Sequence, residues 1–170
     1  MNKELRIIFI GTPDFAVESL KQVHESGRNV IAVITAPDKK AGRGQKIQSP
    51  AVKKYAEEHN LKVLQPTNLK SAQFIEELKQ LKADIQIVVA FRMLPEVVWN
   101  MPPLGTFNLH ASLLPNYRGA APINWAIING EKETGLTTFF LKHEIDTGVL
   151  LLQEKVVITD SETAGSLHDK

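Results

Sequence analysis

The chain has 170 residues, of which 43% are hydrophobic and 23% charged, and its net charge is +1. That composition fits one globular α/β-sized domain with a core of its own, and so small a charge leaves any nucleic-acid affinity to a local patch. The absence of cysteine excludes disulfides and thiolate metal sites and favours a cytoplasmic setting. The apolar run Ile7 to Ile10 is too short for a signal peptide, and no stretch approaches a membrane span.

Arg6 to Ile10 reads as a first strand. Thr12, Pro13 and Gly27 are then suited to an N-cap, a first helical position and a C-terminal stop, with Val17, Leu20 and Val23 as the apolar stripe between them. Asn29 to Thr35 is a second strand, followed by a long connection from Ala36 to Gln48. Ser49 and Pro50 open a helix that stops near Asn60, and Lys62 to Gln65 reads as a short strand. A helix follows from Ser71 to Leu81, then a strongly β-branched strand from Asp84 to Phe91. Gly105 to Ser112 is the next strand, Pro122 to Glu131 a helix, and Leu136 to Leu141 and Val149 to Ile158 are later strands. Such alternation predicts an α/β fold with a mostly parallel sheet and helices on both faces, its ligands at the C-terminal ends of strands. Thr159 and Glu162 have capping-box spacing and announce one more helix, yet the sequence stops at Lys170, which reads as a fragment of a longer protein.

Several stretches could carry chemistry. The first turn, GTPDFA, lacks the G-x-G-x-x-G pattern, so no nicotinamide or flavin is indicated there, and a tight strand-to-helix turn explains Gly11. The connection APDKKAGRGQKIQ sets Lys39, Lys40, Arg43 and Lys46 against a single acid, Asp38, with Gly42 and Gly44 between them. It is either a solvated charged loop or a contact for a phosphate backbone. His24 and His59 lie near helix ends, where they favour the helix dipole. His143 precedes Asp146 in an H-x-x-D spacing, but no H-x-x-x-H pair or acidic cluster supports a metal, and none is expected.

Phe107 to Pro122 reads FNLHASLLPNYRGAAP. On a strand, Asn108, His110 and Ser112 share one face, with Leu109 and Ala111 on the other. An amide and an imidazole side by side can stabilise a developing oxyanion, and the imidazole can exchange a proton. Asp146, in HEIDTGV, could orient that imidazole or take a proton from an attacking amine. A satisfied polar patch fits the same spacing. With no G-x-S-x-G elbow and no cysteine, any acyl chemistry here is a direct transfer from donor to acceptor.

The stretch NLHASLLPNYRGAAPINWAIINGEKETGLTTFF with the later EIDTG resembles the core signature of the 10-formyltetrahydrofolate-dependent formyltransferases. Within that superfamily, GTPDFA and PDKKAGRGQKIQSPAVKKYA resemble the branch that formylates methionyl-tRNA. The resemblance implies a Rossmann-like catalytic domain. It would move a formyl group from 10-formyltetrahydrofolate to the amino group of initiator methionyl-tRNA, by direct attack through a tetrahedral intermediate and without a metal. Asn108 and His110 would stabilise the oxyanion, and Asp146 would orient His110 and help deprotonate the ammonium. Ser112, Leu113, Leu114 and Pro115 match the folate-binding segment, and Lys39, Lys40, Arg43 and Lys46 match the loop inserted at the tRNA acceptor stem. The chain departs from the family at AFRMLP, where Arg92 and Met93 replace an apolar segment near the expected pterin pocket.

Residues 1–170 are accordingly expected to be a catalytic domain, cut short near its C-terminal end and lacking the family's β-rich tRNA-binding domain. It is expected to work as a monomer in the cytoplasm, away from membranes. Two other readings stand beside this one. The first is a folate-dependent formyltransferase with an amino-sugar or glycinamide ribotide acceptor, or a formylfolate hydrolase. The second is a non-catalytic RNA-binding module.

Overall fold

The computed structural model describes residues 4–41, 46–144, 146 and 148–170, and the chain divides into two compact units, Met1–Thr106 and Phe107–Lys170. The first contains β1 (Ile7–Gly11), α1 (Asp14–Glu25), β2 (Val30–Ile34), β3 (Lys39–Ala41), β4 (Lys46–Gln48), α2 (Ala51–Glu58), β5 (Val63–Leu64), α3 (Ala72–Gln80), β6 (Ile85–Val89) and α4 (Glu96–Trp99). The second contains nearly all of β7 (Thr106–His110), then α5 (Pro122–Ile128), β8 (Glu133–Phe140), β9 (Leu150–Val157) and α6 (Ala164–Asp169).

In the first unit the order β5-β2-β1-β6 is parallel throughout. Every residue of β1 is buried, and alternate residues point to opposite sides, so both faces of this sheet are covered. This is the Rossmann-like α/β architecture expected from the alternating strands and helices. Gly11 is required where β1 turns into α1, because a Cβ there would come within 2.8 Å of the Ala16 Cβ and 2.9 Å of the Val89 carbonyl oxygen.

The N-cap of α1 is Pro13 rather than Thr12: Pro13 is extended, with φ −78° and ψ 176°, and its carbonyl accepts from Ala16 N–H at 3.0 Å. Gly27, at φ 74°, stops that helix as expected. The connection read as a loop holds the antiparallel hairpin β3–β4, with Lys39 opposite Gln48 and Lys40 opposite Ile47. Its strands, KKA and KIQ, are lysine-rich and lack the apolar alternation that betrays a strand. The strand expected to run to Phe91 ends at Val89, where Ala90 takes φ 47°.

In the second unit β7-β8-β9 is antiparallel. Ala126, Ile158 and Leu167 form a small core, with Ile123, Ile127 and Val156 packed against it. The capping box of α6 is built by Thr163 and Ser166, not by Thr159 and Glu162. Glu162 instead accepts from the Thr159 N–H at 2.7 Å and closes the preceding turn.

Candidate active site

The second unit carries the residues singled out for chemistry, and β7 positions the first two. Asn108 stands opposite Phe139 and His110 opposite Thr137, so amide and imidazole share one face of the β7–β8 ladder. Phe139 and Thr137 lie on that same face beside them and are fully buried. The half-buried Asn108 side chain hydrogen-bonds to no described residue, which leaves its amide free to donate to a ligand. His110 is 8% exposed, and its Nε2 lies 2.8 Å from the Tyr117 carbonyl oxygen. A carbonyl can only accept, so Nε2 carries the hydrogen of the neutral ring and Nδ1 keeps its lone pair.

Ser112 does not continue the polar face. β7 ends at His110, and beyond it the buried Thr137 hydroxyl donates to the Ser112 carbonyl at 2.6 Å and accepts from Leu114 N–H at 3.2 Å. These two bonds draw the chain off the strand path. Ser112 is fully buried, and its hydroxyl donates to the Asn116 carbonyl at 2.7 Å. Gln153 fixes the same corner from β9, donating to the Leu114 carbonyl at 2.8 Å and to the Thr137 hydroxyl at 3.0 Å. Leu114 is buried, the following peptide to Pro115 is cis, and Pro115 is exposed. Leu113 packs so close to Gly135 that a Cβ at that glycine would come within 2.6 Å of its Cδ2. Of the expected folate segment, therefore, Leu113 and Pro115 retain accessible side chains, while those of Ser112 and Leu114 are engaged in the corner itself.

Asp146 reaches the loop that follows. Its Oδ2 accepts from the Gly119 N–H at 2.8 Å, and its carbonyl accepts from Arg118 Nε at 3.1 Å. In this structure the His110 ring bonds to the Tyr117 carbonyl, while the Asp146 carboxylate bonds to the Gly119 N–H. At Gly148 the backbone passes close to the end of β8, because a Cβ there would overlap the Phe140 carbonyl oxygen.

Tyr117 gave no sign of importance in the sequence. Its phenol donates to Glu131 Oε1 at 2.5 Å and accepts from Asn129 Nδ2 at 2.9 Å. The hydrogen bond to Glu131 is the main reason its pKa lies above the ordinary tyrosine value. The only available signal was its place in the loop after His110, since the partners are 12 and 14 residues away.

In the first unit, Lys39 and Lys40 are exposed on β3; Arg43 lies outside the described residues, and of Lys46 only its place on β4 is described. The single acid of this stretch is not part of a charged tip. Asp38 accepts from Lys53 Nζ at 2.7 Å and from Gln65 Nε2 at 2.9 Å, which ties the foot of the hairpin to α2 and β5's flank. Arg92 donates to the Pro66 and Thr67 carbonyls at 2.6 and 3.3 Å. Among the described residues no group of three His, Asp or Glu side chains could hold a metal, and no helix is long and apolar enough to cross a membrane.

This fold and donor set define a class. The formyl transferase family model matches residues 5–170, and the chain belongs to that family. Among curated proteins, the methionyl-tRNA formyltransferase of Bacteroides thetaiotaomicron is 66% identical across 100% of this chain and 53% of its own length. That of Flavobacterium johnsoniae is 64% identical over 99% of this chain and 53% of its own length. The chain thus spans about half the length of the curated relatives it matches. Among solved structures, phosphoribosylglycinamide formyltransferase from Bacillus halodurans superposes with a TM-score of 0.78 at 22% identity, covering 96% of this chain and 86% of that one. At that identity the likeness speaks for the fold alone.

Proposed function

We propose that this chain is the catalytic part of an enzyme that transfers the formyl group of 10-formyltetrahydrofolate to the amino group of initiator methionyl-tRNA. The observation that carries the chemistry is the pairing on β7: a half-buried amide without a side-chain partner among the described residues, beside an imidazole bonded through Nε2 to a backbone carbonyl. Asn108 donates to the formyl oxygen as negative charge develops on it, the task for which a preorganised donor is most effective. His110 lies beside it, and its Nδ1 accepts the proton released by the attacking amine and returns it to the departing folate nitrogen as the tetrahedral intermediate collapses and the old carbon–nitrogen bond breaks. Asp146 shapes the loop opposite through Gly119 and contributes a negative charge that favours the ammonium's approach. Holding both substrates in attack geometry supplies about 7–11 kcal/mol of the barrier reduction in well-oriented systems.

Leu113 and Pro115 offer an apolar edge to the folate rings, and the corner built by Ser112 and Leu114 holds that edge in place. The choice of acceptor rests on the 66% identity to methionyl-tRNA formyltransferases, with Lys39, Lys40, Arg43 and Lys46 as the cations for the tRNA backbone. On this reading the enzyme is cytoplasmic and monomeric, and residues 1–170 are its catalytic domain.

The test is a parallel assay of the intact protein with 10-formyltetrahydrofolate and four acceptors: methionyl-tRNA, glycinamide ribotide, a nucleotide-linked amino sugar and water. Transfer to methionyl-tRNA exceeding the others by at least about 10³-fold is expected, as for a site that discriminates by hydrogen bonding. Equal or faster transfer to another acceptor would overturn the assignment.

A further inference from the structure

We propose that Tyr117 is a positioning residue for His110, its carbonyl fixing the imidazole and its phenol, held by Glu131 and Asn129, fixing that carbonyl. The inference rests on the formyl-transfer reading above and extends it to three residues outside the expected catalytic set.

Tyr117 has φ 56°, in the left-handed region that an aromatic residue occupies only when its surroundings dictate it. The surroundings here are two hydrogen bonds to its own phenol, at 2.5 Å to Glu131 and 2.9 Å from Asn129. Both partners are anchored at the end of α5: the Asn129 N–H donates to the Trp125 carbonyl and the Glu131 N–H to the Ala126 carbonyl, each at 3.0 Å. Ala126 is itself fully buried in the small core with Ile158 and Leu167. A continuous chain of contacts therefore runs from that core through Glu131 and Asn129 to the phenol, across the tyrosine backbone to its carbonyl, and on to His110 Nε2 at 2.8 Å.

The consequence is chemical. With the carbonyl in place the neutral ring is protonated at Nε2, and Nδ1 is the basic nitrogen. If the carbonyl swings away, both tautomers populate and the ring loses its fixed orientation. The phenol donates to Glu131, and that hydrogen bond holds its pKa above the ordinary tyrosine value. Glu131 is exposed, so the bond does little for overall stability, and its effect falls on the geometry of Tyr117.

The experiment uses the intact protein and two readouts. One is the 15N chemical-shift pattern of the His110 ring, which reports the tautomer; the other is steady-state formyl transfer. Tyr117→Phe should lower kcat about three- to tenfold, the size of one lost hydrogen bond, while each KM changes less than about twofold. The same variant should convert the Nε2–H pattern of neutral His110 into a mixture of tautomers. Glu131→Ala should behave likewise, and Glu131→Gln, which keeps an acceptor for the phenol, should restore most of both signals.

A folded Tyr117→Phe and a folded Glu131→Ala that both keep the wild-type ring pattern would overturn the proposal. So would a change in KM alone. Should the wild-type protein transfer no formyl group, the ring pattern still decides the role of Tyr117, while the function above fails on its own assay.

Discussion

β1 and β9 lie in the same chain and obey opposite rules. Every residue of β1 is buried, whereas seven of the eight residues of β9 are exposed, with Leu152 at 66% and Val157 at 65%. β1 belongs to a parallel sheet that must be covered on both faces, so its sequence is a run of Ile and Phe. β9 pairs with β8 in an antiparallel ladder, and its useful side chain is polar: Gln153 braces the corner at Leu114 and Thr137. The first unit stores its information in apolar burial. The second stores it in hydrogen bonds that set a few side chains on the His110 face.

Phe9→Ala, at a fully buried position of β1, should lower stability in urea by about 3–5 kcal/mol, and Leu152→Ala on β9 by less than about 0.5 kcal/mol. A Leu152→Ala cost as large as the first would mean that β9 is covered in the intact protein. Asn108→Ala should reverse the pattern, leaving stability nearly unchanged while reducing kcat about 10²–10³-fold, the usual cost of a lost oxyanion donor. Urea midpoints and single-turnover rates measured on one preparation separate the two kinds of residue.

Smaller effects belong to the hairpin. Replacing Lys39 and Lys40 by Ala should weaken tRNA binding at low salt and reduce the slope of log K against log salt by about one to two. An unchanged slope would remove them from the RNA contact. Asp38 gives the smallest effect, expressed through pH. The hydrogen bond from Lys53, then that from Gln65, holds its carboxyl below the usual carboxylate range. Because the folded pKa is depressed, the contribution to stability is present above the unfolded value of about 3.9 and is lost as pH falls through the folded one. The stability gap between wild type and Asp38→Asn should therefore be widest at neutral pH and close on acidification. A gap independent of pH would show that the ion pair is not its source.

How much of this was legible in the sequence follows from the same contrast. Ile7–Ile10, Val30–Ile34 and Ile85–Val89 announce themselves because a doubly buried strand is a run of β-branched and aromatic residues. The Asn108–His110 alternation was legible too, since two polar groups on one face of a strand need an explanation. A strict period of two puts Ser112 on that face and takes no account of the Thr137 hydroxyl, 25 residues away, that bends the chain. Tyr117 is illegible for a similar reason: it acts through its backbone carbonyl and through Asn129 and Glu131, just beyond α5, and a carbonyl has no letter in the sequence. The Asp38 clamp leaves no local pattern, because its partners, Lys53 and Gln65, come from separate parts of the chain.

The central claim is that the polar face of β7 performs the transfer. Its most direct test is single-turnover formyl transfer to methionyl-tRNA by the intact protein carrying His110→Ala, with donor binding measured calorimetrically on the same sample. The account predicts a rate about 10²–10⁴-fold lower, with donor affinity and folding close to wild type. A rate within about threefold of wild type at normal donor affinity would contradict it, because a general base contributes far more than that.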